Sequence, residues 1–216
     1  MIETRVVSVH SESQVSDIIE EAAKLICEGG LVVYPTESCY GLGCNALDEA
    51  AVRRVFAVKR RPLRTSLPII VSDVAMLKMC ALIDKRAERL MERFWPGPLT
   101  IALRKKPIIP DVLNPRAVAA RISSHPVALS LVKAAHVPIT ATSANTSGRS
   151  LHYTVKQVLR DLNGKVDLVL DVGRLPRKKV STIVDFTLGA TPKITRLGAI
   201  PKKYISEIIP VEVDVK

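Results

Sequence analysis

Aromatic side chains are scarce in this sequence of 216 residues: one Trp, four Tyr and three Phe. So few rings cannot furnish the stacking platforms that many single-strand nucleic-acid binders use. Cysteine is sparse too. Cys27, Cys39, Cys44 and Cys80 include no CxxC pair, which argues against a disulfide framework and against a structural zinc site, and points to a reducing compartment. No apolar run approaches the ~18 residues of a membrane span. The opening MIETRVVSVH lacks the basic start and apolar stretch of a secretory signal, so a cytoplasmic protein is expected. Missing as well are a GxSxG elbow, an HExxH helix and a GxxxxGK[ST] phosphate loop, and the four histidines are scattered. Hydrolysis by a protein nucleophile or a bound zinc ion therefore finds no support.

What is abundant is positive charge and apolar surface. Hydrophobic residues make up 47% and charged residues 25%, enough to build a core, and the formal net charge is +11. Such a surplus needs an anionic counterpart: phosphates, nucleotides, nucleic acid or a membrane surface.

Periodicity predicts interleaved helices and strands. Apolar residues at 15, 18, 19, 22, 23 and 26 mark one helical face, with Gly29-Gly30 as its stop. LVVYP (31–35) reads as a strand. Asp48 is a candidate N-cap for a helix reaching Lys59, and Asp84 for one over 85–94. Strands are expected at 67–72, 99–104, 118–123 and 138–143 and near 168, 183 and 194, with helices at 73–83, 125–135 and 154–162. Trp95-Pro-Gly-Pro98 must be a rigid turn. The interleaving predicts an α/β sheet, and the strand-only finish makes it mixed rather than purely parallel. Residues 1–201 are read as one domain and 202–216 as a C-terminal tail, either an edge strand or a flexible end.

Ligands meet an α/β sheet at the ends of its strands. Pro35-Thr36-Glu37-Ser38-Cys39-Tyr40-Gly41-Leu42-Gly43 sets hydroxyls, a carboxylate and two glycines there. Gly41 to Ala46 also satisfies GxGxxA, but the glycines do not follow the strand directly and no acid between Glu49 and Asp73 could hold a ribose, so a dinucleotide fold is rejected. Arg53, Arg54, Lys59, Arg60, Arg61 and Arg64 crowd six cations into twelve residues, a repulsion that a bound anion relieves. Thr142-Ser143-Ala144-Asn145-Thr146-Ser147-Gly148 forms a hydrogen-bonding lip suited to oxyanions. Arg121, Ser181-Thr182 and Arg196 complete the set.

In order and spacing, PTESCYGLG (35–43), KRRP (59–62), WPGPLT (95–100), ARISSHP (120–126), TSANTSG (142–148), STIVD (181–185) and RLG (196–198) resemble the YrdC-like family of threonylcarbamoyl-AMP synthases. The resemblance covers roughly residues 15–200 and includes the paired Lys-x-Arg and Ser-x-Asn signature. It implies a twisted open mixed sheet with flanking helices around a large basic cavity. The implied reaction turns L-threonine, bicarbonate and ATP into threonylcarbamoyl-AMP and pyrophosphate, with Mg²⁺ carried by the ATP. It also implies a downstream tRNA threonylcarbamoyltransferase as the consumer of the product, and at most weak, non-specific tRNA contact. By this resemblance Lys59, Arg61, Ser143 and Asn145 are catalytic. Thr36, Arg121 and Ser181 surround threonine, and Arg64, Ser147 and Arg196 join Lys59, Arg61 and Ser143 on the nucleotide. A non-catalytic module for structured RNA is the alternative that the charge allows. The other open reading is a related carbamoyl-adenylate domain acting on carbamoyl phosphate; such domains generally sit within much larger proteins bearing zinc-type cysteine pairs, and this sequence has neither that length nor the pairs.

Overall fold

Asp48 starts a helix where the sequence predicts one: its carboxylate accepts from the Ala50 N–H (2.8 Å) and the Ala51 N–H (3.1 Å), which closes the free amides of the first turn of Glu49–Lys59. The helix ends when Arg60 turns left-handed at φ 51°, an uncommon conformation for a residue with a side chain. That turn buries Lys59 on the inner face while Arg61 emerges on the outgoing strand of chain. The computed structural model in which this is seen describes residues 3–9, 12–63 and 65–215.

The mixed α/β class holds, and the strands divide into two sheets. One has five strands in the order β1 (Arg5–Ser8), β9 (Leu168–Asp171), β2 (Val32–Pro35), β3 (Tyr40–Gly43), β8 (Thr142–Ser143). The other has seven: β12 (Glu212–Val213), β11 (Lys193–Arg196), β10 (Thr182–Asp185), β5 (Leu99–Arg104), β6 (Ala117–Arg121), β4 (Ile69–Ile70), β7 (Ile139–Thr140). Both mix parallel and antiparallel neighbours. Around them lie α1 (Glu12–Cys27), α2 (Glu49–Lys59), α3 (Val74–Cys80), α4 (Lys85–Phe94), α5 (Pro126–Ala135), α6 (Val155–Leu162) and α7 (Lys202–Ser206). Apolar side chains from both sheets and most helices form one buried cluster, whose removal from water is the main term favouring the fold.

One expected strand is broken. Residues 138–143 read as a single run, yet Ile139 and Thr140 pair with β4 in the larger sheet, while Thr142 and Ser143 pair with β3 in the smaller. The step falls at Ala141, whose N–H is taken by the Pro68 carbonyl (2.7 Å). No local propensity marks that step, because both halves are extended; only the choice of neighbour differs. The seam between the sheets is where the site lies.

Gly43 serves this seam rather than a dinucleotide. A Cβ there would meet Ile139 at 2.5 Å and the Tyr34 ring at 2.6 Å, so the glycine lets β3 pass beneath both. Gly198 is required in the same way, since a Cβ would lie 2.2 Å from the Val180 carbonyl oxygen. The segment from 202 onward is packed: Ile205 and Ile209 are buried, and β12 pairs with β11 in parallel.

Candidate functional site

Six segments distant in sequence end at the seam and border a cavity of about 260 Å³. Thr36, Ser38 and Cys39 come from the β2–β3 connection, Gly41 from β3 directly after it, Thr100 from β5 and Arg121 from β6. Ser143 comes from β8, Ser181 from the start of β10 and Arg196 from β11. Arg61, just past α2, closes one side. A second lobe of about 370 Å³ is lined by Lys59, Arg61, Ser143, Asn145, Ser147, Gly148 and Arg149. Arg61, Ser143 and Leu151 border both, so the lobes adjoin. The larger groove of about 950 Å³ near Arg104 and Leu188 is at the other end of β5, and sets Glu49 and Asp111 among its cations.

The first lobe concentrates positive charge. Burial lowers the pKa of Arg61, Arg121 and Arg196, Arg121 to about 10, and guanidiniums in proteins stay charged at neutral pH. Each is held by fixed acceptors. Arg196 donates to the Ser181 carbonyl (2.9 Å) and to Ser181 Oγ (2.8 Å), and that hydroxyl lies 2.7 Å from Thr100 Oγ1. Arg61 donates to Thr65 Oγ1 (2.7 Å) and the Ser66 carbonyl (2.8 Å). Arg121 is paired with Glu37, whose second oxygen accepts from Ser123 Oγ at 2.6 Å. Guanidiniums fixed before a ligand arrives lose little side-chain entropy on binding it.

Several residues expected to touch ligand also have hydrogen-bond partners within the site. Thr36 Oγ1 donates to the Cys39 carbonyl (2.7 Å) and accepts from the Cys39 N–H (3.3 Å), closing its own turn. Ser181 is committed to Arg196 and Thr100. The Asn145 side-chain amide donates to the carbonyls of Arg149 (2.6 Å) and Ser150 (3.3 Å) rather than outward. Its oxygen accepts from Ser143 Oγ and Lys59 Nζ. Lys59 is almost wholly buried, and its ammonium donates to the carbonyls of Ser143 and Asn145 as well. Burial, with Arg61 nearby, lowers its pKa to about 8. The Lys-x-Arg and Ser-x-Asn pairs therefore interlock: the lysine holds the loop, and the arginine faces both lobes. Ser147 borders the second lobe and donates its N–H to the Lys59 carbonyl (3.0 Å). Arg64 lies outside the described residues.

Sequence reasoning missed Asp161. This α6 carboxylate is buried and accepts from the Thr146 N–H (3.0 Å) and from Arg149 (2.6 Å), with His152 Nε2 at 3.1 Å. Burial alone would raise its pKa, but these hydrogen bonds outweigh it and bring it down to about 2. The signal was there to read, since an acid three residues after Val158 sits on the helix's apolar face beside Leu162. Thr182 was noted without a role. Its hydroxyl takes the N–H groups of Gly198 (3.0 Å) and Ile200 (3.1 Å), pinning the turn that follows Arg196.

Comparison with known proteins gives a consistent picture. The family model Sua5_yciO_yrdC, described as telomere recombination, matches residues 24–198. A protein of Pyrococcus abyssi named threonylcarbamoyl-AMP synthase is 40% identical over 194 residues, 88% of this chain and 57% of the relative. One of Methanocaldococcus jannaschii, named putative threonylcarbamoyl-AMP synthase, is 37% identical over 81% of this chain and 83% of its own length. The crystal structure of P. abyssi Sua5 complexed with L-threonine superposes with a TM-score of 0.88 at 37% identity, covering 96% of this chain and 62% of that one. The chain thus spans a little over half of the P. abyssi relative.

Proposed function

The chain belongs to the Sua5/YciO/YrdC family, and on that premise we propose that it is a nucleotidyltransferase making threonylcarbamoyl-AMP and pyrophosphate from L-threonine, bicarbonate and ATP. The observation that carries this reading is the pair of adjoining lobes with Arg61 and Ser143 on their shared border. Threonine occupies the first lobe, with its carboxylate on Arg121 and the Thr36 and Ser181 turns around it. The triphosphate occupies the second lobe, against Arg61, Ser143, Ser147 and the Lys59-held loop, with Arg196 reaching toward it across the border. Arg64 follows this segment and is assigned to the nucleotide with it.

In this arrangement the threonine amine takes up bicarbonate, giving a carbamate and water. A carbamate oxygen then attacks the α-phosphorus, and pyrophosphate leaves with the bond electrons. Neither step needs a protein nucleophile. Both need two anions held close while charge grows on the leaving group, which fixed guanidiniums stabilise without reorganising. Mg²⁺ enters on the triphosphate, held by its oxygens and water, and excess chelator is expected to abolish turnover. The product is a reactive mixed anhydride, suited to a separate tRNA threonylcarbamoyltransferase; tRNA contact with this chain is weak and non-specific. Among the described residues no helix is long and apolar enough to cross a membrane, and a cytoplasmic location suits these substrates.

Incubation of the purified protein with ATP, bicarbonate and labelled threonine tests the proposal. Pyrophosphate and a labelled adenylate should appear only when all three are present. Pyrophosphate from ATP alone would overturn it, as would equal use of serine or valine, because a site that reads hydroxyl and methyl together penalises analogues lacking either.

A further inference from the structure

The three guanidiniums of the first lobe differ in what holds them. Arg61 and Arg196 rest on neutral acceptors, a threonine hydroxyl, a serine hydroxyl and two carbonyls. Among the described residues, Arg121 alone of the three is paired with a carboxylate, that of Glu37. Both side chains of this pair are buried, 9% exposed for Arg121 and 12% for Glu37. Arg121 borders the cavity and Glu37 does not, so the carboxylate stands behind the arginine. Its other oxygen is fixed by Ser123 Oγ, which in turn accepts from the His125 N–H (3.2 Å) at the start of α5.

We propose that Glu37 is a positioning residue that sorts the two anions of the reaction, orienting Arg121 for the carboxylate of the amino acid while denying the Arg121 end of that lobe to the polyphosphate. The inference rests on the reading of the site given above. Its physical basis is charge balance in a poorly solvated space. Pairing with Glu37 makes the Arg121 end of the cavity close to neutral, and leaves the guanidinium able to offer its cavity-facing edge as a directional fork. A singly charged carboxylate is served by that fork. A triphosphate is drawn by net charge, and finds it at Arg61 and Arg196, where no carboxylate among the described residues cancels the cation.

The test is Glu37→Gln, which keeps shape and the Ser123 contact but removes the charge. We expect the KM for L-threonine to rise about 10- to 100-fold, as when other ligand-holding groups lose their outer partner, with little change in the KM for ATP. Inorganic tripolyphosphate should become competitive with threonine in this variant, whereas in the unaltered protein it competes with ATP only. Glu37→Asp restores the charge and should restore the tripolyphosphate pattern even if threonine binding recovers only in part. In an Arg121→Ala background, Glu37→Gln should add little, because there is no guanidinium left to orient. Equal rises in both KM values, an unchanged inhibition pattern, or a full further loss in the Arg121→Ala background would each overturn the proposal. Should the unaltered protein release no threonine-dependent pyrophosphate, the proposed reaction falls by itself. The sorting role is then decided by tripolyphosphate binding followed by thermal shift, where tighter binding to Glu37→Gln than to the unaltered protein upholds it and equal binding ends it. A Glu37→Gln variant that fails to fold shifts the decision to Glu37→Ala, where tripolyphosphate competing with threonine upholds the proposal and an unchanged inhibition pattern ends it.

Discussion

The lobe bordered by Arg121 and Arg196 is assembled from strand ends, whereas the lobe around Asn145 and Ser147 hangs on a loop that two buried charges hold from two helices. In the first, the sheet ladders already fix each backbone, and a side chain needs only one or two acceptors to settle its guanidinium. In the second, residues 143–152 have no ladder beyond Ser143, so their backbone polar groups must be satisfied otherwise. Lys59 from α2 takes the carbonyls, and Asp161 from α6 takes an N–H and two side-chain donors. A residue of the first lobe should therefore act mainly on ligand affinity. An anchor of the second should act on stability and turnover together.

That contrast is broken or sharpened first by Lys59→Ala against Arg61→Ala. Both should lower threonine-dependent pyrophosphate release by about 10²-fold or more, the scale of losing a charge-stabilising donor. Thermal melts should separate them. Lys59→Ala removes three hydrogen bonds, leaves the Asn145 carbonyl without its donor and should cost about 1–3 kcal/mol, while Arg61→Ala should melt near the unaltered protein. Identical melting losses would erase the distinction between anchor and ligand contact.

Asp161→Asn comes next. It should destabilise by about 1–3 kcal/mol through loss of a buried charge-assisted network, and raise the KM for ATP more than that for threonine. Because the folded pKa is lowered to about 2, protons bind the unfolded state first. The stabilisation from Asp161 is thus complete above about pH 4, the ordinary carboxylate range, and is lost as pH falls toward 2. Acid unfolding curves of the Asn variant should lack that component; an unchanged acid limb would show that the carboxylate anchors nothing.

Ser181→Ala removes one hydroxyl from the Arg196–Thr100 chain. A loss of about 1 kcal/mol, or roughly fivefold in kcat/KM, is expected with no change in melting. The smallest effect belongs to Arg177, Lys178 and Lys179, exposed residues outside both lobes. Changing all three to Gln should leave pyrophosphate release intact and weaken only salt-sensitive retention on tRNA. A large fall in turnover would place this cluster within the machinery.

The elements that local chemistry specifies were readable: the helix capped by Asp48, the one capped by Asp84, the apolar face of α1 and the buried strand β2. Strands β1 and β3 were not, nor was α7. The first has a weak pattern with mostly exposed residues, the second is half glycine, and the third is five residues long. Likewise, residue types along PTES, KRR and TSANTS announced an anion site, but not which of them would face the anion.

Composition and spacing by themselves determined the α/β class, the excess of positive charge and the segments that meet at the site, because caps, periodicity and net charge are properties of neighbouring residues. Tertiary structure alone decided that residues 139–143 divide between two sheets, that Lys59 and Asn145 spend their donors inward, and that Glu37 stands behind Arg121. The physical reason is separation along the chain. The lysine reaches across 86 residues to Asn145 and the Glu37 pair also joins distant segments. Which polar groups satisfy one another in a buried seam depends on the approach of strands that no local pattern encodes.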